Sequence, residues 1–216
     1  MFINIHTHQA AVGFAIQNLH QDFDRVELAG RYSIGLHPWY VHAATWQQEM
    51  GHLRLSSQKG NVLAIGECGL DRACSTDYSL QQEVFGAQVQ WANQINKPII
   101  VHCVRAHEDV LQLLKQAQNK VPVIFHGFNK SLALARKIVQ QGHWLSFGKV
   151  LEHERMQAVF AALPINNIFL ETDDAVITIE ETYQLAASIL QIGTNELSLQ
   201  LQTNAATVFG AAQLLI

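Results

Sequence analysis

Residues 98–128, PIIVHCVRAHEDVLQLLKQAQNKVPVIFHGF, decide the fold. The stretch opens on a short apolar run, Ile99–His102, passes through His107–Gln118, where apolar residues recur at helical spacing, and closes on a second apolar run, Val123–Phe125. Apolar runs without polar alternation are the mark of strands buried on both faces, which is how parallel sheets read. Two strands joined by a helix predict a parallel pair with a right-handed crossover. Each of the two runs also leads into a histidine, His102 and His126.

Outward from there the same unit recurs. Runs at Phe2–Ile5, Phe14–Leu19, Tyr32–Leu36, Val62–Ile65, Trp144–Phe147 and Ile168–Leu170 bring the expected strands to eight. Helical periodicity appears at Ala43–Ser57, Ser79–Ile95, Ser131–Gln141, His153–Ala162 and Glu180–Gln191. Asp77 or Ser79 caps one helix start and Gly142 stops another. Eight alternations satisfy a (β/α)8 barrel better than a doubly wound sheet, and 216 residues lies near the short end of the barrel range. The first three strands are joined only by AAVG (10–13) and HQDFDRVELAG (20–30), so the expectation is a distorted TIM barrel with abbreviated early crossovers. The closing stretch Asn195–Phe209 is expected as two short helices on the outside. No linker, low-complexity tract or repeat interrupts the chain, which predicts a single domain over residues 1–216.

Composition narrows the function classes. Half the chain is apolar (49%), only 15% is charged, and the net charge is −4, which excludes disorder and argues against a broad basic surface for nucleic acid. The start, MFINIHTHQ, carries no signal peptide and no apolar run is long enough to span a bilayer, so a cytoplasmic protein, a monomer or weak oligomer, without membrane partners, is expected. Three cysteines without a CxxC pair fit reduced thiols. The unusual number is eleven histidines against fourteen lysines and arginines.

Their positions carry the chemistry. His6 and His8 end the first strand, His37 follows the third, Glu67 and Asp71 follow the fourth, His102 and His126 end the fifth and sixth, and Glu171 and Asp173 follow the last. In a parallel barrel these ends share the face on which active sites are built. Residues two apart, as in His6/His8 and Glu171/Asp173, lie on one side of a strand. Imidazoles and carboxylates together suit a divalent metal such as zinc or manganese. The set exceeds what one tetrahedral ion takes, which points to two ions bridged by a carboxylate. His20, His42, His52, His107, His143 and His153 read as ordinary surface or core residues. No GxGxxG, GxxxxGK[ST], GxSxG or HExxH motif is present.

The ordered set HTH, GLHPW, IGECGLD, IIVHCVRA, VIFHGF, LSFGK and LETDD resembles the TatD-type metal-dependent hydrolases of the amidohydrolase superfamily, from residue 4 to about 174. The resemblance implies a distorted TIM barrel holding two divalent ions (Mg2+, Mn2+ or Zn2+) and deoxyribonuclease or phosphodiesterase activity. It assigns His6, His8 and Asp173 to one ion, Glu67 as the bridge, and His102 and His126 to the other, with His37 and Arg105 near the substrate phosphate. Three features depart from that pattern. Asp174, Ala175 and Val176 stand where a small residue and proline are usual, Arg72 replaces an aromatic residue after GLD, and the N-terminal crossover is short.

The mechanism expected is attack by a metal-activated water. Asp173 acts as general base, Glu67 as a catalytic ligand, and His37, Arg72, Arg105 and Lys149 bind a phosphoryl oxygen. Trp39, Tyr40 and Phe128 either stack a base or pack the rim. The expected substrate is a DNA 3′ or 5′ end or a small phosphate ester. Alternatives that keep the same residues are an amidohydrolase or phosphomonoesterase acting on a small molecule, and a noncatalytic metal-binding scaffold.

Overall fold

A computed structural model describes residues 1–9, 13–26 and 29–214. Eight strands follow in chain order: β1 (Ile3–Thr7), β2 (Phe14–Leu19), β3 (Arg31–Ile34), β4 (Val62–Asp71), β5 (Ile99–Val104), β6 (Val123–Phe125), β7 (Trp144–Phe147) and β8 (Ile168–Leu170). The helices are α1 (Trp46–Ser56), α2 (Tyr78–Ile95), α3 (His107–Gln116), α4 (Leu132–Gln140), α5 (Glu154–Ala161), α6 (Ile179–Leu190) and α7 (Thr194–Phe209). Parallel strands in sequence order with helices between them make this a TIM-barrel-like α/β fold, as the periodicity predicts.

The chain divides into two compact units, Met1–Gln17 with Ile124–Ile216, and Asn18–Val123. In the first, β1 pairs with β2, β6 with β7 and β7 with β8, all parallel, and α6 and α7 pack beside β8. In the second, β3, β4 and β5 pair in parallel and α2 lies along β4. Both cores are built from the continuous apolar runs: Ile3, Ile5, Phe125, Phe147 and Phe169 in one, Ile34, Ile65, Ile99 and Val101 in the other, all essentially inaccessible to solvent.

Local sequence explains the element ends. Asp77 caps α2 by accepting from the Leu80 amide at 2.8 Å, and Ser131 caps α4 through the Leu134 amide. Thr178 and Glu181 form a capping box at the start of α6. Gly142, at φ +83°, follows the end of α4 in a conformation that costs glycine little.

Two expectations change. The strand expected over Val62–Ile65 runs on to Asp71, so Glu67 lies inside β4 instead of beyond its end, and every residue of that strand is buried. The tail expected as two short helices is one, α7, because Leu197, Leu201, Ala205 and Val208 hold one buried stripe with no breaker between them. Residues 10–12 of the first abbreviated crossover lie outside the described residues, as do 27–28 of the second, whose described part holds one 3-10 turn, Phe23–Arg25. None of the three cysteines is in a disulfide, and among the described residues no helix is long and apolar enough to cross a membrane.

Candidate metal centre

In the first unit the site grows from β1 and the segment after β8. Asp173 closes a bridge with Thr7; its amide donates to the His6 carbonyl at 3.1 Å and its own carbonyl accepts from the His8 amide at 3.1 Å. Asn4 and Thr172 lock the two segments together. The Asn4 amide donates to Thr172 Oγ1 at 2.8 Å, and the Thr172 amide donates to Asn4 Oδ1 at 3.2 Å. The backbone of Asp173 is left-handed, at φ +54°, an arrangement aspartate tolerates better than most residues. Its Oδ1 lies 3.4 Å from His6 Nε2 and 3.3 Å from His8 Nε2. His126 stacks obliquely on His6, ring centroids 4.3 Å apart, and a nitrogen of each ring lies within 4.8 Å of an Asp173 oxygen and of the other.

Behind this trio sits Glu171, 1% exposed. It accepts from the Gly127 amide at 2.7 Å and from Ser146 Oγ, and its Oε1 is 3.7 Å from His126 Nδ1. The two hydrogen bonds satisfy a buried charge and leave the carboxylate beside the His126 ring, a position that strand parity did not reveal.

Burial works against an ionised Asp173, but hydrogen bonds from His6 and His8 outweigh it and hold the carboxyl well below the usual range. Asp173 is therefore an anion at neutral pH. Its side chain keeps 37% of its exposure, whereas His6 has none, so a proton taken by Asp173 has a route to solvent.

In the second unit the site lies on β4, the end of β5 and the segment after β3. Glu67, 3% exposed, receives two rings on one oxygen: His102 Nδ1 is 2.7 Å and His37 Nε2 3.2 Å from Oε1. The Trp39 amide donates to His37 Nδ1 at 3.2 Å. A neutral imidazole carries one N–H, so this contact assigns it to Nε2, aimed at Glu67. In that tautomer His37 donates to Glu67, and its ring lies with Glu67 and His102 in one buried cluster of donor groups.

His102 differs. Its Nε2 lies 3.2 Å from Asp71 Oδ2 while Nδ1 faces Glu67, so carboxylate oxygens flank both nitrogens. A neutral ring can donate to only one of them, and a divalent ion on the Glu67 side would let Nδ1 coordinate while Nε2–H holds Asp71. Asp71 also accepts from the Trp39 indole at 2.6 Å and the Ala73 amide at 2.6 Å. Burial opposes its charge, but these donors and His102 lower its pKa. Gly69 permits the approach of β5, because a Cβ there would stand 2.0 Å from the His102 carbonyl oxygen. Burial, with Glu67 adding to it, pushes the Cys68 thiol upward, so Cys68 serves as core packing.

Helix α2 holds these strand ends in place. Gln81 and Gln88, seven residues apart and both buried, mimic a backbone partner. Gln88 accepts from the Leu36 amide at 2.7 Å and donates to its carbonyl at 3.1 Å. Gln81 does the same for Asp71 at 2.8 and 3.1 Å.

The other expected contacts divide. Arg105 and Lys149 are exposed just after β5 and β7. The Arg72 guanidinium donates to Asp109 at 2.7 Å and lies 4.1 Å over the Tyr78 ring, so an acidic partner already engages it. Trp39 and Tyr40 are exposed by 51% and 40%, whereas Phe128 is buried against Phe147 and is no stacking surface.

The two donor sets fit divalent metal. His6, His126 and Asp173 offer two imidazole nitrogens and a carboxylate, and Glu67 with His102 offers one of each. Borderline ions such as zinc and manganese accept these donors. The model of the family described as TatD related DNase matches residues 6–210. The chain belongs to this TatD-related family. Over 147 residues it is 34% identical to a 3′-5′ ssDNA/RNA exonuclease TatD of Cronobacter sakazakii, covering 64% of this chain and 55% of that protein. Over 151 residues it is 32% identical to the uncharacterized metal-dependent hydrolase YabD of Bacillus subtilis, covering 68% and 59%. The chain thus spans less than two thirds of the length of these TatD relatives. Among solved structures, the TatD homolog YJJV of Escherichia coli K12 superposes with a TM-score of 0.74 at 24% identity over 83% of this chain and 76% of that one. The E. coli phosphotriesterase homology protein gives 0.61 at 17% over 83% and 74%. Both likenesses bear on the fold, and they bear out the barrel-like class.

Proposed function

We propose that this chain is a divalent-metal-dependent hydrolase of phosphodiester bonds that acts on the ends of DNA. The observation that carries the reading is the paired donor sets, His6/His126/Asp173 and Glu67/His102, each buried or half-buried and each backed by a carboxylate that makes no part of the set, Glu171 in one and Asp71 in the other. Metal-ligating histidines almost always carry such an outer partner. The exonuclease name carried by TatD relatives supports the nucleic-acid class. His8, 3.3 Å from Asp173, completes the first set.

Bound divalent ions would lower the pKa of a coordinated water and offset charge on a phosphoryl oxygen. The chain's own groups do the rest. Asp173, held ionised by His6 and His8, takes the proton from the attacking water and passes it to solvent through its exposed side. Glu67 holds its charge in place under the His37 N–H and beside His102, and His37 turns toward an incoming phosphate oxygen when Glu67 is occupied otherwise. Arg105 and Lys149, exposed just after β5 and β7, would each meet the substrate's charge.

The test is hydrolysis of bis(p-nitrophenyl) phosphate and of single-stranded DNA with Mg2+, Mn2+ or Zn2+. Turnover that requires metal and falls at least a hundredfold in Asp173→Asn supports the reading. Protein that binds metal yet cleaves neither substrate refutes it. A phosphomonoesterase acting on a small molecule is the second reading, favoured by the exposed carboxylate of Asp174 next to the centre, which disfavours a polyanion. Preference for p-nitrophenyl phosphate over the diester would select it.

A further inference from the structure

The helices of the second unit sort their charges. Glu49, Glu83, Glu108 and Asp109 lie toward the starts of α1, α2 and α3, while no carboxylate occurs over residues 51–66, 84–107 or 110–123, which hold the ends of those helices and the loops into β4, β5 and β6. Four exposed cations, Arg54, Lys59, Lys115 and Lys120, stand at this end of the unit, where the strands begin, away from Asp71 and His102. Helix dipoles account for two of them, Arg54 and Lys115, in the last turns of α1 and α3. Lys59 and Lys120 lie beyond the helix ends, where that attraction has faded.

Contacts made by α2 and the residues after it join the three helix ends into one preformed surface. Arg54 lies 5.5 Å over the Trp91 ring, and the Trp91 indole donates to Ser57 Oγ at 2.9 Å. The Lys97 ammonium donates to the carbonyls of Ser57, Lys59 and Val62 at 2.5, 3.1 and 2.5 Å, so the loop that carries Lys59 is held by its backbone. Asn93 holds the other loop: its side chain donates to the Ala117 and Gln118 carbonyls and accepts from the Lys120 amide at 2.8 Å. Next to Arg54, Leu55 is 71% exposed, an apolar side chain that folding leaves in water.

These features select a partner. A local cluster of cations on a chain of net charge −4 suits an anion of small extent better than a long duplex. Single strands are gripped by bases stacking on open ring faces. Here the Trp91 face carries Arg54, and the apolar side chain left exposed is the aliphatic Leu55. An acidic peptide needs no ring face, only carboxylates for the cations and an apolar residue for the leucine. We propose that this surface docks an acidic segment of a partner protein, its carboxylates against Arg54, Lys59, Lys115 and Lys120 and an apolar side chain against Leu55. The surface lies at the far ends of β4 and β5 from Asp71 and His102, so the partner leaves those residues uncovered, and the proposal does not depend on which bond the chain hydrolyses.

Binding tests it without turnover. A fluorescein-labelled peptide of six glutamates around a central leucine is titrated with the full chain, metal-free, and followed by fluorescence anisotropy; a labelled thymidine oligonucleotide of six phosphates is the comparison. The wild-type chain is expected to bind the peptide more tightly than the oligonucleotide, and to lose at least about fivefold of that affinity as salt rises from about 50 to about 200 mM. Lys59→Glu combined with Lys120→Glu should weaken the peptide about tenfold or more, and Leu55→Ser about three- to tenfold. These side chains are exposed, so the unfolding midpoints of the variants should stay near the wild-type value. No binding of the peptide by the wild-type chain up to about millimolar concentration, or peptide binding that the double variant leaves unchanged, overturns the proposal. Tighter binding of the oligonucleotide that the double variant abolishes overturns it in favour of a nucleic-acid surface. Peptide binding unmoved by Leu55→Ser overturns the apolar contact.

Discussion

Replacing Gln88 by leucine isolates the contribution of one buried side chain to the seat of the site. Gln88 is fully buried on α2 and pairs with both backbone groups of Leu36, the residue before His37, at 2.7 and 3.1 Å. Leucine fills similar space but leaves a buried N–H and a buried C=O without that partner. Each orphaned group costs about 1–3 kcal/mol, so two cost about 2–6 kcal/mol, and the added apolar burial of leucine returns about 1 kcal/mol of it. The expected net loss is about 1–5 kcal/mol, which for a chain of this size lowers the midpoint of thermal unfolding by about 2–20 °C. Urea denaturation of the metal-free protein measures it, with Gln88→Met as a second apolar replacement. Because His37 follows Leu36 directly, hydrolysis of a phosphodiester should fall as well, by about ten- to a hundredfold, even at a temperature where the variant is folded. Both variants lying within about 0.5 kcal/mol of wild type, an ordinary value for a surface change, would show that the glutamine clamp does not hold this segment.

Three further outcomes follow from the same geometry. Gly69→Ala places a methyl group 2.0 Å from the His102 carbonyl at a φ of +145°, so β5 must move; expression as soluble protein should drop and any folded fraction should lose metal affinity, and a well-folded variant with native affinity would contradict the close approach. Asp71→Ala removes the acceptor for both the His102 ring and the Trp39 indole, and should weaken metal binding about ten- to a hundredfold with little loss of helix content by circular dichroism. In metal-free protein the depressed Asp173 carboxyl contributes stability that is present above the unfolded pKa near 4 and lost as pH falls below it; denaturant midpoints between pH 5 and 2 should therefore fall less steeply in Asp173→Asn than in wild type.

How much of this was legible in the sequence depends on the interaction involved. Strands buried on both faces announce themselves as unbroken apolar runs, and seven of the eight were expected close to their observed bounds. The exception, β4, runs past Glu67 because its polar residues are paired inside the sheet, and no hydropathy pattern distinguishes a paired buried carboxylate from one in a loop. The candidate ligands stood out because histidines and carboxylates after apolar strands would be costly without a partner. The supporting residues did not. Gln81 and Gln88 are seven apart on a helix, a spacing that in sequence reads as a polar stripe facing water, and their pairing with Asp71 and Leu36 depends on packing between elements distant in the chain. Glu171 was visible as one of a carboxylate pair, but its bonds to Gly127 and Ser146 depend on β6 and β7. Arg72 reads in sequence as a phosphate contact, and its ion pair with Asp109, 37 residues away, depends on packing that the sequence does not show.

The central claim is that His6, His126 and Asp173 form one ion site and that Glu67 and His102 contribute to another. Titration of the metal-free chain with Mn2+ or Zn2+ by calorimetry, with elemental analysis of the loaded protein, tests it most directly. Two ions per chain are predicted for the wild type and one for His102→Ala, with His126→Ala weakening the ion that His102→Ala retains. A wild-type chain that binds neither metal more tightly than millimolar, or a stoichiometry that neither variant alters, would contradict it.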